Sequence, residues 1–186
     1  MSLPHILLGL LSRPLSGYDM QKECEASLSF FWSMNLSQVY PILRKLEDQD
    51  FVRSELVDPG KGPARRVYRR TDRGKEELAD WLTSGPQVAL ERRHYLAQAF
   101  FLNAVDDTDK ALTFFRDLYE IMSGRRDRLQ EIERGWAAEQ GPLFPNDLSD
   151  EEFFRHLVFD AGRRMADVYV EWCARCIDRL EARQRR

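Results

Sequence analysis

The sequence predicts a mainly α-helical protein in two parts. Residues 1–85 read as three helices, a β-hairpin and a fourth helix, and residues 86–186 as an all-helical region. Apolar residues recur at three- and four-residue spacing through most of the chain, the period of an amphipathic helix. The segment 51–70 departs from it. There, two short runs flank Asp58-Pro59-Gly60-Lys61-Gly62-Pro63, whose glycines and prolines suit a hairpin tip. Ser84-Gly85-Pro86 then interrupts the pattern and marks the predicted boundary between the two parts.

Leu3 to Leu11 is almost wholly apolar and predicts a short helix buried on most sides. Arg13-Pro14 ends it, because proline disfavours helical geometry in the residue before it. Ser16 can cap a second helix from Gly17 to Ser27. Asn35 or Ser37 caps a third, which runs to about Asp50 with Leu36, Val39, Ile42, Leu43 and Leu46 on one face. Phe51 to Val57 and Arg65 to Arg70 are the two strands. Thr71 caps the fourth helix, with Leu78, Trp81 and Leu82 expected to face inward.

In the second half, Arg92 to Val105 predicts one helix. A long one starting at Asp107 or Thr108 reaches about Ala138, with a stripe of Phe115, Leu118, Met122, Leu129, Ile132 and Trp136. Gly141-Pro142 and Pro145 break the chain, and Ser149 with Glu152 has the spacing of a capping box. The last helix carries Phe154, Leu157, Ala161, Met165, Val168, Trp172, Cys176 and Leu180 along one side. An apolar stripe of about seven turns needs a partner for its whole length, and a second copy of the chain is the expected cover for part of it.

Composition narrows the function classes. With 43% hydrophobic and 32% charged residues the chain is too apolar for general disorder. Three cysteines make no disulfide framework, and Ile6 to Leu11 is too short to span a bilayer and lacks the flanks of a signal peptide. A reducing cytoplasm and no membrane contact are the expectation. Net charge is −3, yet Arg44, Lys45, Arg53, Lys61, Arg65, Arg66, Arg69, Arg70, Arg73 and Lys75 make one segment locally basic. Where the basic residues lie matters more to nucleic-acid binding than their sum.

Three helices, a hairpin and a helix, in that order, make a winged helix-turn-helix. Its third helix leaves Ser37, Gln38, Pro41, Arg44 and Lys45 exposed, residue types that read base edges or bond phosphate in the major groove of DNA. Lys61, Arg65 and Arg66 at the hairpin tip would follow the neighbouring backbone or dip into the minor groove. Ser16 and Tyr18 at the second helix's start are further candidates for phosphate contact, since backbone N–H groups there favour an anion. Tyr40 either bonds a phosphate or packs beside the second helix, and Tyr68 reads as packing.

Several pieces together resemble the PadR family of transcriptional regulators: Ile6-Leu7-Leu8-Gly9-Leu10-Leu11, Ser16-Gly17-Tyr18, Phe31-Trp32, Leu36-Ser37-Gln38-Val39-Tyr40-Pro41-Ile42-Leu43, Leu46-Glu47, Val67-Tyr68-Arg69-Arg70-Thr71 and Gly74. The helical remainder is similar, more loosely, to the C-terminal region of that family's virulence-activator branch. The resemblance implies a homodimer held by C-terminal helices on a roughly palindromic operator. It also implies a repressor more often than an activator, and release by a small hydrophobic or phenolic effector.

No cofactor is expected. Cys173 and Cys176 have metal or redox spacing but lie inside a helix without a second pair, so a structural role is expected and no metal. His5, His94 and His156 have no recognisable partners. Trp32, Trp81, Trp136 and Trp172, with Phe100, Phe101, Phe114, Phe115, Phe153, Phe154 and Phe159, are candidates for an effector pocket or plain core. A protein-interaction module without DNA binding is the alternative. No phosphate-cradling glycine loop or nucleophile–base motif supports an enzyme.

Overall fold

The computed structural model describes residues 2–29, 31–58, 64–88 and 92–185. The chain forms two compact units, Met1–Ala89 and Leu90–Arg186.

The first unit contains α1 (Leu3–Leu10), β1 (Leu15–Ser16), α2 (Gly17–Ser27), α3 (Leu36–Asp48), β2 (Val52–Val57), β3 (Arg65–Arg70) and α4 (Asp72–Thr83). Each α2, α3 and α4 start is fixed by a side-chain cap. Ser16, Asn35 and Thr71 each accept a hydrogen bond from the backbone N–H three residues on, a contact worth about 1 kcal/mol per cap. Leu7, Leu8, Met20, Cys24, Val39, Leu43, Leu46 and Val52 meet in one core, which Tyr68 and Leu15 close from the sheet side. Each buried side chain of the Leu or Val type contributes about 1.5–3 kcal/mol, so this cluster outweighs any single cap.

The sheet has the order β1-β3-β2 among the described residues, antiparallel throughout. Its register sets Val52 opposite Arg70 and Val57 opposite Arg65. The two-residue β1 was not expected, since Arg13-Pro14 reads only as a break and two residues show no period. It pairs Leu15 with Tyr68 and Ser16 with Val67, and so ties the wing to the start of α2.

Leu82 corrects the reading of α4: it is 65% exposed, while Leu78 and Trp81 are half-buried. The fourth helix is held instead through Trp81, which stacks on His5 of α1 at 4.8 Å, and through Glu77, 3.1 Å from the His5 ring nitrogen.

The second unit has α5 (His94–Phe100), a 3-10 turn at Leu102–Val105, α6 (Thr108–Gln140) and α7 (Asp150–Gln184). Here Arg92 to Val105 is not one helix. The chain tightens after Phe100, and Asp106 takes a left-handed conformation (φ 48°) that stops it. Asp107 caps α6, and Ser149 caps α7 in a capping box with Glu152. The two long helices are antiparallel. Gln184 reaches Asp109 at one end and Gln140 reaches Glu152 at the other. At 1.5 Å per residue they run side by side for about 50 Å.

Leu112, Phe115, Leu118, Met122 and Leu129 of α6 face Phe159, Ala166, Val170 and Cys173 of α7. Ile132, expected in the α6 stripe, is instead about half exposed.

Candidate nucleic-acid interface

The third helix owes its start to Asn35. In extended backbone (φ −126°, ψ 161°), its side chain accepts the Gln38 N–H at 3.1 Å, and Gln38 Oε1 accepts the Asn35 N–H at 3.3 Å. The Ser37 hydroxyl also donates to the Asn35 side chain. Gln38 therefore lends its carbonyl end to the cap and keeps its NH₂ end, which makes no hydrogen bond among the described residues.

Beyond the cap the helix is two-faced. Val39, Leu43 and Leu46 are buried in the core, and Ser37, Gln38, Tyr40, Pro41, Arg44 and Lys45 are exposed on the opposite side. Pro41 lacks the N–H that would bond the Ser37 carbonyl, so that carbonyl loses its usual partner one turn on.

The cations divide sharply. The wing arginines are paired within the protein: Arg65 with Asp19 at 3.4 Å, Arg66 with the Ser54 hydroxyl at 2.9 Å and Glu47 at 3.9 Å, and Arg69 with Glu55 at 2.9 Å. Arg44 and Lys45 of α3 form no hydrogen bond or ion pair among the described residues. Two cations left without a counter-ion on one exposed helix face form a ready anion site. Lys61 lies outside the described residues.

At the start of α2, Ser16 is buried and its hydroxyl is used by Asp19, to which it donates at 2.7 Å. Ser16 is thus a cap, and its side chain is not open to a phosphate. Burial pushes the Asp19 carboxyl up. Hydrogen bonds from the Ser16 hydroxyl and backbone N–H, with Arg65 and Arg13 close by, outweigh this and hold it below the ordinary carboxylate value. The charged carboxylate lies 3.4 Å from Arg65 and would compete with any other anion for it. Asp19→Asn is expected to release Arg65 and tighten non-specific duplex binding several-fold, about 1 kcal/mol. Fluorescence anisotropy on random-sequence DNA checks it, and weaker binding would contradict the competition.

Tyr18 is half exposed, with Lys22 over its ring at 4.7 Å. Tyr40 lies across Gly17. A β-carbon on Gly17 would come within 2.8 Å of the Tyr40 ring, so the glycine makes room for the tyrosine where α2 and α3 meet. Tyr40 therefore packs beside α2 and still leaves its ring edge exposed. Tyr68 is buried. The anchors Asp19, Glu47 and Glu55 were missed in the sequence, where nothing distinguishes a carboxylate that holds a wing arginine from one that faces water.

On α7 the predicted stripe splits. Phe154, Leu157, Ala161, Met165 and Val168 are exposed, Phe154 by 66% and Val168 by 55%. Trp172, Cys176 and Leu180 instead pack against the chain's own Phe115 cluster. The aromatic candidates fall into separate groups. Trp136, Phe144, His156 and Phe159 gather near one end of α6–α7, Phe114, Phe115 and Trp172 gather nearer the other, and Phe100 and Phe101 are exposed. Among the described residues no His, Cys, Asp and Glu group could hold a metal ion.

A polar, cationic helix face borne on a three-helix core beside an antiparallel hairpin defines a winged helix-turn-helix, the class that presents one helix to the major groove. Residues 6–80 match the transcriptional regulator PadR-like family, and residues 91–181 match the virulence activator alpha C-terminal family. Only residues 1–5, 81–90 and 182–186 fall outside the two matches. The chain thus joins a PadR-like transcriptional-regulator domain to a virulence activator alpha C-terminal domain.

It is 29% identical to the negative transcriptional regulator PadR of Bacillus subtilis over 172 residues, which span 91% of this chain and 92% of that one. Its fold is similar to B. subtilis PadR crystallised with operator DNA (TM-score 0.85, 27% identity, 97% of this chain and 99% of that one). It is similar also to the same protein crystallised with p-coumaric acid (TM-score 0.79, 27% identity, 97% and 99%).

Proposed function

We propose that this regulator is a homodimeric repressor that binds a roughly palindromic operator in double-stranded DNA. The exposed face of α3 enters the major groove. Gln38 and Arg44 meet base edges, Ser37, Tyr40 and Lys45 meet phosphate, and Pro41 sets the close approach. Tyr18 and the wing residues Lys61, Arg65 and Arg66 lie along the flanking backbone. The carrying observation is the contrast between unpaired Arg44 and Lys45 and the internally paired wing arginines. The B. subtilis relative solved on operator DNA supports the same use of the fold.

The protein acts by occupying DNA rather than by catalysis, and works in the cytoplasm. No helix among the described residues is long and apolar enough to cross a membrane. Anisotropy with the DNA upstream of its own gene, across a salt series, tests the reading. Affinity should fall steeply as salt rises, and Lys61→Ala should flatten the slope. A salt-independent affinity would contradict it.

Residues 1–85 carry DNA binding and residues 86–186 dimerise. The exposed stripe from Phe154 to Val168 is the surface that a second copy covers, because an apolar row of this length is unstable in water. Leu157→Asp with Val168→Asp is expected to turn the dimer into a monomer in sedimentation and to weaken operator binding at least ten-fold, since one reading head loses its partner. An unchanged dimer would place the interface elsewhere. A small aromatic effector, of the kind bound by the relative, favours a dimer whose reading heads are misplaced for DNA, and shifts the equilibrium only by its difference in affinity for the two states.

A further inference from the structure

Gln38 stands on the exposed face of α3 with one end of its amide already engaged. Its Oε1 accepts the Asn35 N–H at 3.3 Å, while the Asn35 side chain accepts the Gln38 N–H at 3.1 Å. These are the two halves of a capping box. Only the oxygen of an amide can accept an N–H, so the contact also fixes which way the amide points. Met34 and Val39, both buried, flank the cap and tie its backbone to the core. The Nε2 end of Gln38 makes no hydrogen bond among the described residues.

A glutamine free at both ends reads adenine, accepting from N6 while it donates to N7. Gln38 in its cap lacks the acceptor for the first of these bonds. It offers two N–H donors on one nitrogen and nothing else. In the major groove guanine presents two acceptors, N7 and O6, while thymine presents one and cytosine only an N4 donor. Adenine sets its single acceptor beside a donor that would meet the amide NH₂ head-on. Two adjacent donors therefore suit guanine best and cytosine worst. Arg44 and Lys45 give the same face the same polarity, since both side chains donate and neither accepts.

We propose that the capping box makes Gln38 a donor-only reader of base edges, and that it selects a guanine in each operator half-site. The choice of guanine rests on the DNA-binding reading of α3. The bond that starts the helix then also sets its base preference. Taking adenine would require the amide to turn over, which breaks the bond to Asn35 and leaves that N–H unpaired beside the duplex.

Operators selected from a random duplex pool by the full-length protein, by Gln38→Ala and by Gln38→Glu test this. The wild type should return one guanine per half-site whose preference vanishes with Gln38→Ala. Replacing that guanine by 7-deazaguanine, which lacks the N7 acceptor, should weaken wild-type binding about five-fold and leave Gln38→Ala indifferent. Gln38→Glu still accepts the Asn35 N–H and suits the first turn of a helix, so α3 should stay formed. Its charge lowers affinity for every duplex, and its oxygens replace the N–H donors. The preferred base at that position should therefore become cytosine, whose N4 donates. A Gln38-dependent preference of the wild type for any base but guanine would overturn the proposal, and adenine in particular would mean that the amide had left the cap. So would a motif that survives replacement of Gln38 unchanged, or a 7-deazaguanine duplex bound as tightly as the natural one. Wild-type protein that enriches no sequence at all would instead defeat the DNA-binding reading itself.

Discussion

Gly74→Ala is expected to destabilise the first unit by about 3 kcal/mol, because a β-carbon there would stand 2.0 Å from the Phe51 carbonyl oxygen. No side-chain rotation relieves this clash, since the obstacle is backbone. The same oxygen accepts the Thr71 N–H at 3.1 Å, and the Thr71 hydroxyl donates to the Asp50 carbonyl at 2.6 Å. The start of α4 is thereby pinned onto the turn between α3 and β2, where Asp50 holds a left-handed conformation (φ 56°). Pushing α4 away would break both hydrogen bonds and expose the end of the core. Thermal unfolding should show a midpoint lower by roughly 10 °C or more. A midpoint within a degree or two of the wild type would mean that α4 is not seated on that carbonyl.

Arg44→Ala carries the largest expected effect on DNA. A bidentate arginine contact to a base edge is worth about 1–3 kcal/mol, and a dimer makes it twice, so operator affinity should fall by about thirty-fold or more. Discrimination against a mutated operator should fall with it. Lys45→Ala should weaken operator and random DNA alike and reduce the salt slope, as loss of a phosphate contact does. Arg44 is exposed and forms no hydrogen bond or ion pair among the described residues, so neither helix content nor the thermal midpoint should move. Full operator affinity with Arg44 replaced would remove it from the interface.

Much of this architecture is legible before any coordinates. The α3 pattern places Val39, Leu43 and Leu46 inward and Arg44 and Lys45 outward, because helical spacing leaves no other arrangement once the apolar residues are buried. The caps at Ser16, Thr71 and Ser149 were equally readable, since hydroxyls before an amphipathic run have a stated local use. What escaped depends on contacts distant in sequence. β1 exists because Leu15 meets Tyr68, more than fifty residues on. Arg65 and Arg66 look like free wing cations until folding brings Asp19 and Glu47 beside them. Trp172, Cys176 and Leu180 continue the stripe of Phe154 and Val168 in sequence, yet they pack against Phe115 of α6, a contact that no spacing within α7 announces.

The claim beneath these expectations is that an amphipathic helix, oily below and cationic above, is offered to a duplex by each half of a symmetric pair. Hydroxyl-radical footprinting on the DNA upstream of the protein's own gene tests it most directly. The account predicts two protected half-sites related by an inverted repeat, their centres about 34 Å apart or a multiple of that, and both lost together when Arg44 is replaced. A single unsymmetrical footprint, or protection that survives Arg44→Ala, would contradict it.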